Sequence, residues 1–156
     1  MGFLQGKKIL VTGLLSNRSI AHGVAEACHR EGAELAFTYV GARFKDRITE
    51  FAQQFGSNLV YECDVTSDEQ IDNLFADIGK AWGKLDGLVH AIAFAPREAI
   101  TGDFFDGLSR EAFKVAHDVS AYSFPAMVKA AKPLLHAGSS ALTLTYLGAN
   151  RAIPYY

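Results

Sequence analysis

Short apolar runs alternate along the chain with longer segments in which apolar residues recur every third or fourth position. The runs are Lys7–Thr12, Glu34–Tyr39, Asn58–Val65, Asp86–Ala95 and Ser140–Tyr146, and runs this short, apolar on both faces, predict buried strands. Between them, Ala42–Phe55 sets Phe44, Ile48, Phe51 and Phe55 on one stripe. Ser67–Trp82 does the same with Ile71, Leu74, Phe75, Ile78 and Trp82. Both read as amphipathic helices. Ser67 and Gln70 stand in capping-box spacing at the start of the second. Ser109–Leu135 predicts a longer helix bent at Pro125, which removes a backbone donor and crowds the carbonyl one turn back.

Strand and helix alternate through the whole chain, and continuous apolar strands require cover on both faces. The fold class expected is therefore α/β, with right-handed crossovers building a doubly wound parallel sheet of Rossmann type. Residues 1–156 read as one dinucleotide-binding domain with five strands in view. A six-strand sheet of this type would need a further helix and strand. The run RAIPYY follows directly on the fifth strand, so the sequence reads as cut short at its C-terminus.

Composition narrows the function classes. A formal charge of −2 gives no basic field for nucleic acid or an anionic membrane surface. No apolar window reaches a transmembrane length, and MGFLQGKKILVTG has no signal-peptide pattern. Cys28 and Cys63 form neither a disulfide framework nor a metal-ligand pattern. A cytoplasmic protein is the expectation, with neither nucleic acid nor membrane as partner.

Chemistry is expected at the carboxyl ends of the strands. VTGLLSNRSIAHG, Val11–Gly23, carries Gly13 and then Gly23 in place of the compact three-glycine fingerprint. Gly13 is free to turn tightly there. Ser19 stands at the helix start, where its hydroxyl is suited to cap the helix and to donate to a phosphate. The bland reading of the same residues is a strand-to-helix turn. Asp64, after the third run, suits the amino group of an adenine, or else simply caps the turn before Ser67. Ala91–Pro96, after the fourth, is small and apolar enough for a flat ribose to lie against it.

Taken together, several stretches resemble the bacterial NADH-dependent enoyl-acyl-carrier-protein reductases, a divergent branch of the short-chain dehydrogenase/reductase superfamily. They are Thr12-Gly13 with Ile20-Ala21, Cys63-Asp64-Val65, Val89–Pro96, Ala116–Ser123 and Tyr146–Ala149. The resemblance runs the length of the chain and accounts for the spread phosphate loop. It implies that a trans-2-enoyl thioester on acyl carrier protein takes hydride from NADH at its β-carbon, and that the resulting enolate is protonated at the α-carbon. It implies Tyr156 and Tyr146 as catalytic tyrosines, the first donating to the developing oxyanion, an interaction worth roughly 3–4 kcal/mol. The cofactor contacts it implies are Gly13, Ser19, Ile20, Val40, Asp64, Val65 and Ile92, with Ala95 on the substrate and no metal. It also implies a homotetramer.

Without the resemblance, Tyr146 reads as a packing aromatic and Tyr156 as a tail residue. The sequence departs from the family in three ways. The active lysine beyond the tyrosine is absent, so the 156 residues alone are expected to be a poor catalyst. Tyr155 stands where asparagine is usual, and Ala91 and Ala93 replace the usual serine and glycine. Thr38-Tyr39-Val40-Gly41 offers no carboxylate for a ribose 2′-hydroxyl, while Arg43 and Lys45 are near enough to meet a 2′-phosphate or to be solvated; resemblance favours NADH. His22, His29, His90 and His117 lack metal-ligand spacing and read as satisfied or surface residues. Phe113, Tyr122, Phe124 and Met127 offer either a subunit interface or ordinary core packing. The competing functions are carbonyl reduction of a 3-oxoacyl thioester on the same fold and a non-catalytic dinucleotide-binding module.

Overall fold

Among the described residues five short strands carry the fold: β1 (Lys8–Val11), β2 (Glu34–Tyr39), β3 (Val60–Glu62), β4 (Gly87–His90) and β5 (Ser140–Thr143). They pair in the order β3-β2-β1-β4-β5, and every pairing is parallel. The structure is a computed structural model and describes residues 2–153. Its helices are α1 (Ile20–Arg30), α2 (Lys45–Gln54), α3 (Asp68–Trp82), α4 (Phe104–Gly107), α5 (Arg110–His117) and α6 (Ser123–Ala131).

Strand alternation divides the core in two. Ile9, Val11, Leu35, Phe37 and Val89 face α1 and α2, where Ala21, Ala25, Ile48, Ala52 and Phe55 meet them. Their neighbours Leu10, Ala36 and Leu88 face the other way, against Ile71, Leu74, Phe75 and Ile78 of α3 and Met127 and Ala131 of α6. A parallel sheet buried on both faces is what the continuous apolar runs required. The pairing order reverses between β1 and β4, so the loops after these two strands diverge and leave a crevice at the carboxyl edge.

Several boundaries differ from the sequence expectation. The runs at Asn58–Val65 and Asp86–Ala95 pair only over Val60–Glu62 and Gly87–His90; their apolar ends continue as loops that line the crevice. Ala42–Phe44 is a tight 3-10 turn before α2. The capping box at Ser67 is half formed. Ser67 Oγ accepts from the Gln70 N–H at 3.2 Å, but the Gln70 side chain accepts from Asp64 N–H at 2.8 Å instead of returning to Ser67.

The single helix expected over Ser109–Leu135 is in fact broken. After α5 comes one wide turn, Asp118–Tyr122, in π-helical register, closed by the Ser123 N–H on the Asp118 carbonyl; α6 and a 3-10 turn, Lys132–Leu134, follow. Pro125 accounts for the position of the break. In α geometry its ring would press on the Ala121 carbonyl, and widening the preceding turn relieves that contact.

Candidate functional site

The crevice is a cleft of about 460 Å³. Four strand ends converge on it: Gly13 and Leu14 after β1, Val40 after β2, Asp64 and Val65 after β3, and Ala91, Ile92, Ala93 and Phe94 after β4. Val115 of α5 and Val119 of the π-turn close the remaining side. The lining is mostly apolar, with polar groups at the rim, as suits a planar organic ligand.

Gly13 is needed where it stands. Its φ is +79°, in the left-handed region, and a Cβ there would strike the Ala91 carbonyl oxygen. The two loops at the switch point therefore touch backbone to backbone. Thr12, fully buried, joins them: its Oγ1 donates to the Val89 carbonyl at 3.0 Å and accepts from the Ala91 N–H at 3.3 Å.

Ser19 begins α1, but its hydroxyl does not cap the helix. It turns back and accepts from the Leu15 and Ser16 N–H groups at 3.1 and 3.0 Å, which shapes the long loop from inside. Both bonds use the oxygen as acceptor, so the hydroxyl hydrogen keeps its donor capacity. Ser19 and Ile20 lie beside the cleft, not in its lining; they border a shallow depression along α1 with Asn17 and Gly23.

Asp64 is half-buried at the cleft rim. Its Oδ1 accepts from Thr66 N–H at 2.9 Å and Thr66 Oγ1 at 2.7 Å, the turn role weighed from the sequence. The loop after β4 is held by Ser120 of the π-turn, whose Oγ accepts from Phe94 N–H and donates to the Phe94 carbonyl, both at 3.0 Å. Ala95 lies one residue beyond this clamp, half-buried and outside the lining.

Tyr146 follows β5, half exposed, with its ring over Gly148, where a Cβ would come within 2.6 Å of the ring. Tyr156, with Tyr155, lies outside the described residues. Arg43 is exposed and spreads over the Phe44 ring, 4.6 Å from its centroid. The two cysteines are thiols, and burial, with a smaller contribution from Asp64, pushes the Cys63 thiol up to about 12. Among the described residues no group of His, Cys, Asp and Glu is arranged to hold a metal, and no helix is long and apolar enough to cross a membrane.

The histidines serve packing and hydrogen bonding. His22 and His29 contact Phe55 edge-on, and His117 stacks on Phe113. His90 is bonded at both ring nitrogens. Sequence reasoning missed Thr12, Ser120, Val115 and Val119. Thr12 adjoins Gly13, and Val119 and Ser120 lie within Ala116–Ser123, in stretches already singled out; that Val115 and Val119 line the cleft and Ser120 holds Phe94 follows only from the path of the chain in space.

The family model described as enoyl-(acyl carrier protein) reductase matches residues 13–156. Similar proteins include the NADH-dependent enoyl-acyl-carrier-protein reductases FabI of Neisseria meningitidis, 59% identical, and of Escherichia coli K12, 58% identical, each covering 100% of this chain. The chain spans 60% of the length of each of those relatives. Among solved structures, the enoyl-acyl-carrier-protein reductase (NADH) of Aquifex aeolicus superposes with a TM-score of 0.96 at 46% identity, covering 99% of this chain and 66% of that one. The enoyl-acyl carrier protein reductase of Bacillus cereus, crystallised with NADP+ and indole naphthyridinone, gives 0.95 at 41% identity, over 100% of this chain and 61% of its own. With the model matched over nearly all of its length and the same parallel sheet underneath, the chain belongs to the enoyl-(acyl carrier protein) reductase family.

Proposed function

We propose that the protein carrying this chain reduces the trans-2 double bond of an enoyl thioester on acyl carrier protein with NADH, in fatty acid biosynthesis. One observation carries the reading: Gly13, Val40, Asp64, Val65 and Ile92, scattered through the sequence after four different strands, line one cleft. The residues present fit a dinucleotide. Gly13 permits close backbone approach at the switch point. Asp64 offers its second carboxylate oxygen to an adenine amino group, and Val40, Val65 and Ile92 give apolar walls to flat rings. Ser19, with Ile20 beside it, offers a hydroxyl hydrogen to a phosphate at the start of α1. When bound, NADH supplies the hydride.

The chain's own residues orient and exclude water. Ala91–Phe94 lie where small side chains admit the nicotinamide ribose, and Ala95 adjoins the substrate. Tyr146 and Tyr156 are the proposed catalytic tyrosines, Tyr156 donating to the developing enolate oxygen. A homotetramer in the cytoplasm fits the exposed Phe113 and Tyr122 along the α5–α6 face.

The test is turnover of enoyl and 3-oxoacyl thioesters with NADH by the protein as its gene encodes it, beside NADH binding. Enoyl reduction is the expected result. Turnover of the 3-oxo substrate alone would make it a carbonyl reductase, and tight binding without turnover a dinucleotide-binding module.

A further inference from the structure

Of the chain's histidines only His90 is fully buried. It is the last residue of β4, and its ring reaches hydroxyls on two other elements. Nδ1 lies 3.1 Å from Thr143 Oγ1 on β5, and Nε2 lies 2.7 Å from Ser123 Oγ at the start of α6. The far end of this chain sets the proton directions. Ser123 Oγ donates its single hydrogen to the Val119 carbonyl at 2.6 Å. Toward His90 it therefore accepts, so Nε2 carries the proton and Nδ1 accepts from Thr143. Burial lowers the imidazole's affinity for a second proton, which keeps the ring neutral near pH 7.

Val119 and its neighbour Ser120 belong to the π-turn. Val119 lines the cleft, and Ser120 grips both backbone groups of Phe94 in the loop that forms the opposite wall. That loop begins at Ala91, the residue after His90. The histidine thus sits at the root of the loop through its backbone, and behind the clamp on the loop through its ring. An apolar side chain would fill the same volume without the cost of burying two ring nitrogens. What the imidazole adds is the bonded connection between β5, β4, α6 and the π-turn.

We propose that His90 is a positioning residue for the reduction: the chain Thr143–His90–Ser123–Val119 sets the π-turn, and through Ser120 the loop Ala91–Pro96 against the bound cofactor. The inference rests on the enoyl reductase reading above.

The experiment compares the protein as its gene encodes it with H90L, H90Q and S120A, measuring kcat on an enoyl thioester, the Kd for NADH and the thermal midpoint. Displacing a positioned group by about an ångström costs up to ~100-fold in rate, so H90L and S120A should each lower kcat roughly 10- to 100-fold. The Kd for NADH should move less than about 3-fold, because most of the remaining cleft is untouched. H90Q, whose amide is able to donate to Ser123, should recover most of the rate. S120A removes only the clamp on Phe94, so it gives an answer even where H90L does not fold. Unchanged kcat in S120A overturns the proposal, as does an H90Q variant no better than H90L at equal thermal midpoint. A parent protein that binds NADH but does not reduce the enoyl thioester refutes the functional reading and this inference with it. An active parent with unimpaired variants refutes the inference alone.

Discussion

Replacing Asp86 by asparagine removes one charge and no volume from the amino-terminal edge of the sheet. Asp86 precedes β4 and is 4% exposed. Its Oδ2 accepts from the Lys8 backbone N–H at 3.0 Å, at the start of β1. Its Oδ1 accepts from Lys7 Nζ at 3.2 Å and from His136 Nε2 at 3.1 Å, and Lys84 Nζ lies 3.3 Å from Oδ2. Burial alone would raise the carboxyl, but the Lys8 N–H and the two ammonium groups outweigh it and hold Asp86 well below the usual carboxylate range. An asparagine accepts through one atom only, so either orientation of its amide turns a donor toward a donor. The buried charge-assisted bond to Lys8 is worth about 1.5–3 kcal/mol. The lysine side chains are 41% and 50% exposed, so each pair adds at most ~1 kcal/mol. Because those lysines regain water when the charge is lost, the net cost of D86N should be about 2–3 kcal/mol. For 156 residues this is a fall of roughly 5–10 °C in Tm.

The pH dependence has a definite sign. A carboxyl held below its unfolded pKa of about 3.9 contributes its full stability above that value and loses it as the pH falls further. Urea denaturation should therefore show a constant gap between parent and D86N from about pH 8 to pH 5, shrinking toward about pH 3. A gap below ~0.5 kcal/mol at pH 7, the scale of an ordinary surface substitution, or one that widens on acidification, would refute the reasoning.

Two other substitution or labelling experiments probe the cleft. G13A forces a Cβ onto the Ala91 carbonyl at a left-handed φ of +79°, so it should cost at least ~2 kcal/mol in urea denaturation and weaken NADH binding; unchanged midpoint and affinity would mean the two loops do not touch. Cys63, buried with its thiol pushed up to about 12, should resist iodoacetamide at pH 8 in the native protein and react in urea. Rapid native labelling there would contradict its burial at the cleft.

The periodicity of the chain determined the layers by itself. Ile9 and Leu10 point to opposite faces because strand residues alternate, and Ile71, Leu74, Phe75 and Ile78 meet the sheet because helical residues recur at 3.6. These are local properties, readable wherever the pattern is long. Gly13 and Asp64 could be named from their places just after strands, whereas the switch point between β1 and β4 came from the pairing order of the folded sheet. Strand ends were read too long at Cys63–Val65 and Ala91–Ala95, because apolar residues lining a cleft look like apolar residues in a ladder. The tertiary structure alone decided the rest: the Asp86 clamp, the Ser120 grip on Phe94 and the path from Thr143 through His90 to Ser123. Lys84 aside, which is two residues from Asp86, the partners in these contacts are 26 to 79 residues apart, beyond the reach of any spacing rule. Pro125 announced a bend, but the carbonyl its ring would meet determined that the helix instead opens into a wide turn at Asp118–Tyr122, which brings Val119 to the cleft and Ser120 to the Phe94 backbone.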